Sequence, residues 1–291
     1  MIWPASSVRN QIIIDRFYSF FEVHRDEGFH FPGETHNFWE CVYVLNGGIC
    51  VSGDSRVYSL TAGDIIFHKP MEFHNYFVDK AAGADLLIFS FSLDGMSVDI
   101  LKNKVFSLSA PQQYIISSLM NYVRSKYDES MIPENNLIEH KYLLPFDRIP
   151  AYSQMLTSYV YQLILTLIGD GTVAKTSSAP DAQIFSKVVN YMNNRISEQP
   201  TISEIAEFCN TSESSLKRIF YKYAGISIHK YFLKLKINAS TELLKNGHRV
   251  SETAEKLGFS SQAHFSAAYK RETGMNPSHI YRIADNQPSS A

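Results

Sequence analysis

Two stretches of this chain carry nearly the same run of hydroxyl, acidic and basic side chains. "SEIAEFCNTSESSLKRIFYKYAGISIH", Ser203 to His229, is followed by "SETAEKLGFSSQAHFSAAYKRETGMNPS", Ser251 to Ser278. Ser-Glu-x-Ala-Glu opens both copies, with Ser203 matching Ser251 at an offset of 48. Further on, Leu216 matches Phe265, Phe220 matches Tyr269 and Gly225 matches Gly274 at an offset of 49, so the second copy has gained one residue. The chain has no phosphate-cradling glycine-rich loop and no nucleophile elbow. Its three cysteines, Cys41, Cys50 and Cys209, lack metal-ligand spacing and fit a reducing compartment.

Charge points to the partner. Residues 181–291 hold 14 basic and 10 acidic side chains, a net of +4, whereas residues 1–180 hold 13 and 19, a net of −6. The repeat-bearing third is basic, which fits a polyanion partner. The 291 residues, 45% hydrophobic and 19% charged, suggest a globular protein of about two domains. "MIWPASSVRN" has no signal-peptide pattern, and "YVYQLILTLIG" is too short to span a bilayer, so a cytoplasmic protein without membrane contact is expected.

Residues 9 to about 95 read as short strands. "ECVYVLNGGICVSG" reads as a hairpin turning at Asn46-Gly47-Gly48. Turns at Gly53-Asp54 and Gly63-Asp64 punctuate the next strands, and "DLLIFSFSL" is a further apolar strand. From Pro111 the period becomes helical, with amphipathic helices at 112–126 and 152–168 around an ambiguous stretch, 128–150. These helices either dimerise the chain or cap the strands. "DGTVAKTSSAPDA" reads as a linker, 170–181, between domains 1–169 and 182–291.

Beyond the linker each repeat reads as helix, turn, helix: Ile202–Phe208 then Glu213–Tyr223, and Val250–Leu257 then Gln262–Glu272. Ala206 and Ala254 sit where the paired helices cross closely, while Leu216, Ile219, Phe220, Leu257, Phe265 and Tyr269 face the core. This is the grammar of the helix-turn-helix, whose second helix presents its N-terminal residues to base edges in the major groove. A long helix closed by Gly247 joins the two units.

Residues from about 185 to 283 resemble the DNA-binding domain of the AraC/XylS family of transcription regulators. "SEIAEFCNTSESSLKRIF", "KYFLKLKINASTELL" and "AEKLGFSSQAHFSAAYKRETGMNPSHIYR" carry the resemblance, with Gly258-Phe259-Ser260-Ser261, Phe265, Lys270, Gly274, Pro277 and Arg282 at the family's signature positions. The resemblance implies that the first reading helix exposes Ser214, Ser215, Lys217 and Arg218, with Arg218 suited to guanine or to phosphate. Aligned on the repeat, the second exposes Gln262, Ala263, His264, Ser266 and Ala267. It is expected to position more than it reads, through Gln262, His264, Lys270 and Arg271. Lys236 stands where the family often has arginine, keeping the charge without the fork.

The front domain, through "GETHNFWECVYVLNGGI" and "TAGDIIFHKPMEFHNYF", resembles the cupin-like barrel of many such regulators. By that resemblance His36, Glu40 and His74 fall at metal-ligand positions, with Phe38 where a second histidine would stand. As i, i+2 and i+4 of one strand, His36, Phe38 and Glu40 would all point inward. The three polar residues could line an effector pocket, form an open metal triad, or be satisfied barrel groups. Neither a metal nor another cofactor is assigned. His68 is expected to face solvent, and Trp39 and Tyr43 to pack outward under the two helices.

The resulting expectation is a two-domain fold. An all-β cupin-like barrel with trailing amphipathic helices is followed by an all-α domain of two helix-turn-helix units. The resemblance implies a regulator of promoter DNA controlled by a small-molecule effector, a carbohydrate among the candidates. It also implies a homodimer, with RNA polymerase as partner if it activates. The alternative is a metal-dependent cupin enzyme with an appended nucleic-acid module.

Overall fold

Among the described residues the period-2 pattern gives nine strands, β1 (Ile12–Ile13), β2 (Phe17–Arg25), β3 (Trp39–Gly53), β4 (Arg56–Thr61), β5 (Asp64–His68), β6 (His74–Phe77), β7 (Ala84–Phe91), β8 (Asp94–Gly95) and β9 (Val105–Ser107). They come from a computed structural model that describes residues 6–7, 10–78, 83–95, 97–131, 138–169 and 179–280. The main sheet runs β2-β7-β3-β5-β9, with β4 and β6 on the far half of β3 and all pairings antiparallel.

The expected hairpin at Asn46-Gly47-Gly48 does not form. β3 is one strand of 15 residues that turns a corner there. Up to Gly47 it pairs with β7, and from Gly48 with β4. The register slips between Val44 and Asn46, and Gly47 adopts φ +76° with its Cα facing the Gly83 carbonyl, where a Cβ would come within 2.1 Å. Glycine therefore serves a bend and a close backbone approach, not a reversal. The reversal falls at Asp54-Ser55, where Gly53 pairs with Arg56.

The corner lets one strand wall two sides of an interior filled by Val42, Val44, Ile49, Val51, Tyr58, Leu60 and Leu86. Trp39, Cys41 and Tyr43, pointing the other way by alternation, pack with α1 (Ala110–Lys126) and α2 (Tyr152–Gly169) through Ile116, Leu119, Leu156, Val160 and Leu163. The expected outward packing of Trp39 and Tyr43 holds, and both helices cap the sheet with their buried stripes. Between them, residues 138–143 form a 3-10 turn packed on β2.

The C-terminal region is helical: α3 (Pro180–Asn194), α4 (Ile202–Phe208), α5 (Glu213–Ala224), α6 (Ile228–Lys245), α7 (Val250–Lys256) and α8 (Gln262–Thr273). Most of the stretch read as a linker, 170–178, lies outside the described residues, and Pro180 and Asp181 already belong to α3. Thr201 caps α4 by a capping box with Glu204, and Ser212, Ser227 and Ser261 cap α5, α6 and α8. Gly225 and Gly274 end α5 and α8 in the left-handed conformation, at matched positions of the two copies. Two cores result, one around Phe185, Leu216 and Phe220, the other around Ile237, Phe265 and Tyr269.

Candidate functional site

The first unit presents the N-terminal turns of α5 to solvent. Ser214, Lys217 and Arg218 are exposed, Ser215 is half-buried, and Leu216, Ile219 and Phe220 anchor the opposite face. Arg218 is 67% exposed and pairs with Asp181 at 3.9 Å, while Lys217 pairs with Glu213 at 3.1 Å. Both charges are thus held loosely and can exchange partners at little cost. In the second unit Gln262, Ala263, His264, Ala267, Lys270 and Arg271 are exposed and Ser266 is half-buried. His264 Nδ1 lies 3.0 Å from Ser260 Oγ, and its ring meets Phe259 edge-on. Arg282 lies outside the described residues.

Lys236 turns out to join the two units from inside. Only 5% exposed, it donates from Nζ to the Glu198 carbonyl at 2.8 Å and to the Leu257 carbonyl at 2.7 Å. Glu198 follows α3 and Leu257 ends α7, so one buried ammonium ties the first unit to the last turn of the second unit's first helix. A cation there also complements the C-terminal dipole of α7. Gly258 makes the adjoining contact, with φ +65° and the Ser197 carbonyl 1.8 Å from where a Cβ would lie.

In the sheet domain, His36, Glu40 and His74 do come together. His36 Nε2 lies 3.7 Å from Glu40 Oε2, and His74 Nε2 stands 3.3 Å from Glu40 Oε1, close enough for charge to act though neither pair is a hydrogen bond. The route differs from the expected one. β3 starts at Trp39, so His36 and Phe38 are not strand neighbours of Glu40; the chain bends before the strand and stacks their rings at 4.0 Å and 8°. Tyr18 stacks on Phe38 at 4.1 Å.

These residues border a cavity of about 380 Å³ between Tyr18, Arg25, Glu34, His36, Phe38 and Glu40. Glu139 and His140 of the 138–143 turn line its rim. Sequence reasoning missed Tyr18, Arg25, Glu34, Glu139 and His140; the pocket aromatics and acids come from four separate segments with no shared spacing. His68 is corrected too. It is buried, not solvent-facing, because Glu72 folds back to its Nδ1 at 3.1 Å and its ring stacks on His74 at 4.2 Å.

Burial would raise Glu40, but the two imidazoles beside it hold its carboxyl well below the usual carboxylate range. Burial alone would push His74 down, yet Glu40, Glu72 and Glu34 outweigh it and hold it up at about 9. His68 is pushed down by burial and by His74. The stacked pair therefore carries one positive charge, on His74.

The cavity wall is wired to the helical region. Met71 N donates to the His36 carbonyl at 2.7 Å, and the Met71 carbonyl accepts from Asn238 Nδ2 of α6 at 2.8 Å. Two residues on, the Phe73 ring packs edge-on against Tyr231, whose hydroxyl donates to the Asp54 carbonyl at 2.9 Å. Ser52 Oγ donates to the Tyr223 carbonyl at 2.7 Å, at the C-terminal end of α5.

A tandem helix-turn-helix region docked on a sheet domain with an internal cavity is the plan of a ligand-responsive DNA-binding protein. Two family descriptions match the chain, "AraC-like ligand binding domain" over residues 17–97 and "Helix-turn-helix domain" over residues 205–282. The uncharacterized HTH-type transcriptional regulator YidL of Escherichia coli K12 is 24% identical over 257 residues, 88% of this chain and 79% of that one. The HTH-type transcriptional activator RhaR of Enterobacter sp. (strain 638) is 25% identical over 253 residues, 85% and 86% of the two chains. Among solved structures, ToxT from Vibrio cholerae O395 is similar at 14% identity, covering 95% of this chain and 99% of that chain with a TM-score of 0.38. The chain belongs to the AraC-type transcription regulators. It is a DNA-binding regulator with a ligand-binding N-terminal domain, and not an enzyme. No helix among the described residues is long and apolar enough to cross a membrane.

Proposed function

We propose that a small, hydroxyl-rich effector of the carbohydrate class occupies the cavity bordered by His36 and Glu40, with His74 behind them, and thereby changes how the chain reads promoter DNA. Carboxylates and imidazoles accept and donate to hydroxyls, and the stacked Tyr18–Phe38 rings offer an apolar face to a sugar's C–H side. The observation that carries this reading is the pair of hydrogen bonds made by the Met71 backbone, its N–H donating to the His36 carbonyl at the cavity and its carbonyl accepting from Asn238 on α6. A ligand that moves His36 must strain or release the docking of α6, which gives it differential affinity for two arrangements.

In this reading residues 1–169 bind effector and dimerise, 170–181 connect, and 182–291 read DNA in the cytoplasm. Ser214, Ser215, Lys217 and Arg218 read bases, while Gln262, His264, Ser266, Lys270 and Arg271 position the second unit on phosphates. The homodimer forms through α2, which has no charged residue and an outer stripe containing Met155, Ser158, Gln162 and Leu165. Because the relative RhaR is named an activator, we place RNA polymerase among the partners.

The test is a calorimetric screen of sugars and metabolite pools against the full chain and its His36→Ala variant, followed by DNA affinity with each ligand found. A ligand that His36→Ala abolishes and that shifts DNA affinity supports the reading. Ligands bound equally by both proteins, or without effect on DNA affinity, refute it.

A further inference from the structure

Glu34 supplies what the sequence pattern of the barrel lacks. With Phe38 where a second histidine would stand, His36, Glu40 and His74 leave an ion one ligand short. Glu34 arrives from outside that pattern. Its backbone pairs with that of His74, N to O at 3.0 Å and 3.2 Å, which brings its Oε1 to 3.9 Å from His74 Nε2. One ligand atom from each of Glu34, His36, Glu40 and His74 then lies within 4.8 Å of all the others, the one such group among the described residues. A tetrahedral ion with bonds of about 2.1 Å sets its ligand atoms about 3.4 Å apart. Glu40 Oε1 and Glu34 Oε1 stand 3.3 and 3.9 Å from His74 Nε2, and Glu40 Oε2 stands 3.7 Å from His36 Nε2, so side-chain rotations alone would draw the four ligand atoms in from their present spread of up to 4.8 Å.

The tautomers point the same way. His74 Nδ1 lies 3.1 Å from the Glu72 carbonyl, and His36 Nδ1 lies 2.9 Å from the Phe38 carbonyl. A carbonyl only accepts, so both rings donate from Nδ1 and turn Nε2 toward the cluster. Both Nε2 atoms are buried without a hydrogen-bond partner, and His74 is 2% exposed. Facing carboxylates, which only accept, each Nε2 must carry either a proton or an ion. Without an ion that proton sits on His74; a divalent cation takes its place and leaves both rings neutral, as metal ligation demands. Backbone carbonyls that fix the imidazole tautomer are the usual outer support of histidine metal ligands.

We propose that Glu34, His36, Glu40 and His74 bind a divalent first-row transition ion. Two imidazole nitrogens and two carboxylate oxygens suit ions such as Zn²⁺ or Co²⁺; Ca²⁺ and Mg²⁺ prefer oxygen alone, and no thiolate is present to favour Cu⁺. Two carboxylates also neutralise the ion's charge, which a buried site requires. The ion site shares the cavity of the proposed effector, and its regulatory consequence, though not ion binding itself, rests on that reading.

Metal-stripped full-length protein is titrated with Co²⁺, read by its visible absorption and by equilibrium dialysis, and then with Zn²⁺ in competition. One Co²⁺ per chain, displaced by one Zn²⁺, is expected. Glu34→Gln tests the idea without threatening the core, because that side chain is half exposed; it weakens binding by roughly tenfold or more. His74→Gln, checked for folding by circular dichroism, abolishes the Co²⁺ spectrum. His24→Gln, in an exposed cluster with Asp26 and Asp85, leaves binding unchanged. No ion bound at millimolar concentration overturns the site and means that a proton alone holds the cluster. Binding that survives both Glu34→Gln and His74→Gln overturns it as an adventitious surface ion. If the chain binds no ion yet still answers an organic effector, the ion site falls and the effector reading stands.

Discussion

Replacing Lys236 with methionine tests how the two DNA-reading units are held together. Methionine keeps an unbranched apolar stem beside Phe232 and Phe259, over which the ammonium lies at 4.8 and 5.7 Å, and removes only the donors. Two carbonyls lose a charged partner, and that of Leu257 is buried at the end of α7. A hydrogen bond to a charged group contributes about 1.5–3 kcal/mol, and an orphaned buried carbonyl costs about 1–3 kcal/mol. Against this, the variant no longer desolvates an ammonium, whose pKa burial has already pushed down. The net loss is about 2–4 kcal/mol. Urea unfolding of the full chain, followed by tyrosine fluorescence, should show that loss. DNA affinity should fall by about tenfold or more, equivalent to about 1.4 kcal/mol, because the second unit is no longer fixed against the first. Lys236→Arg, which keeps the charge and donors, should cost less than Lys236→Met. A Lys236→Met protein within about 0.5 kcal/mol of wild type and with unchanged DNA affinity would mean that Lys236 does not tie the two units together.

Gly258→Ala should be worse than Lys236→Met, by about 4 kcal/mol or more, since it demands a left-handed residue whose Cβ strikes the Ser197 carbonyl; thermal unfolding reads it. Tyr231→Phe removes the donor to the Asp54 carbonyl and should cost about 1 kcal/mol. It should alter the effect of effector on DNA affinity while leaving effector affinity itself in place, as titration calorimetry would show. Leu165→Glu puts a charge on the outer stripe of α2 and should shift sedimentation toward monomer without lowering the melting temperature, Leu165 being exposed in one chain.

The helix-turn-helix units were legible because their contacts are local. Each reading helix packs on a partner a few residues away, and Ser212, Ser261, Gly225 and Gly274 mark its ends in the sequence itself. Lys236 was read as a substitute for arginine and not as a buried tie, because its partners, Glu198 and Leu257, are distant in sequence. The barrel was legible as strands but not as a path. Asn46-Gly47-Gly48 favours positive φ equally for a hairpin and for a corner, and only pairing with β7 on one side and β4 on the other decides. Of the pocket, His36, Glu40 and His74 could be named from their pattern. Glu34 could not, since it joins through an isolated bridge to His74, nor could Glu139, which a 3-10 turn carries over the cavity.

The central claim is that this chain reads DNA through the exposed start of α5, and Arg218 tests it most directly. Affinity for DNA upstream of its own gene and its neighbours is measured over a salt series with competitor present, for wild type and Arg218→Ala. Wild type should bind preferentially and weaken steeply with salt, and Arg218→Ala should show either a loss of about 1–3 kcal/mol with relaxed specificity or a salt slope shallower by about one. Equal affinity, specificity and salt slope in the two proteins would contradict that claim.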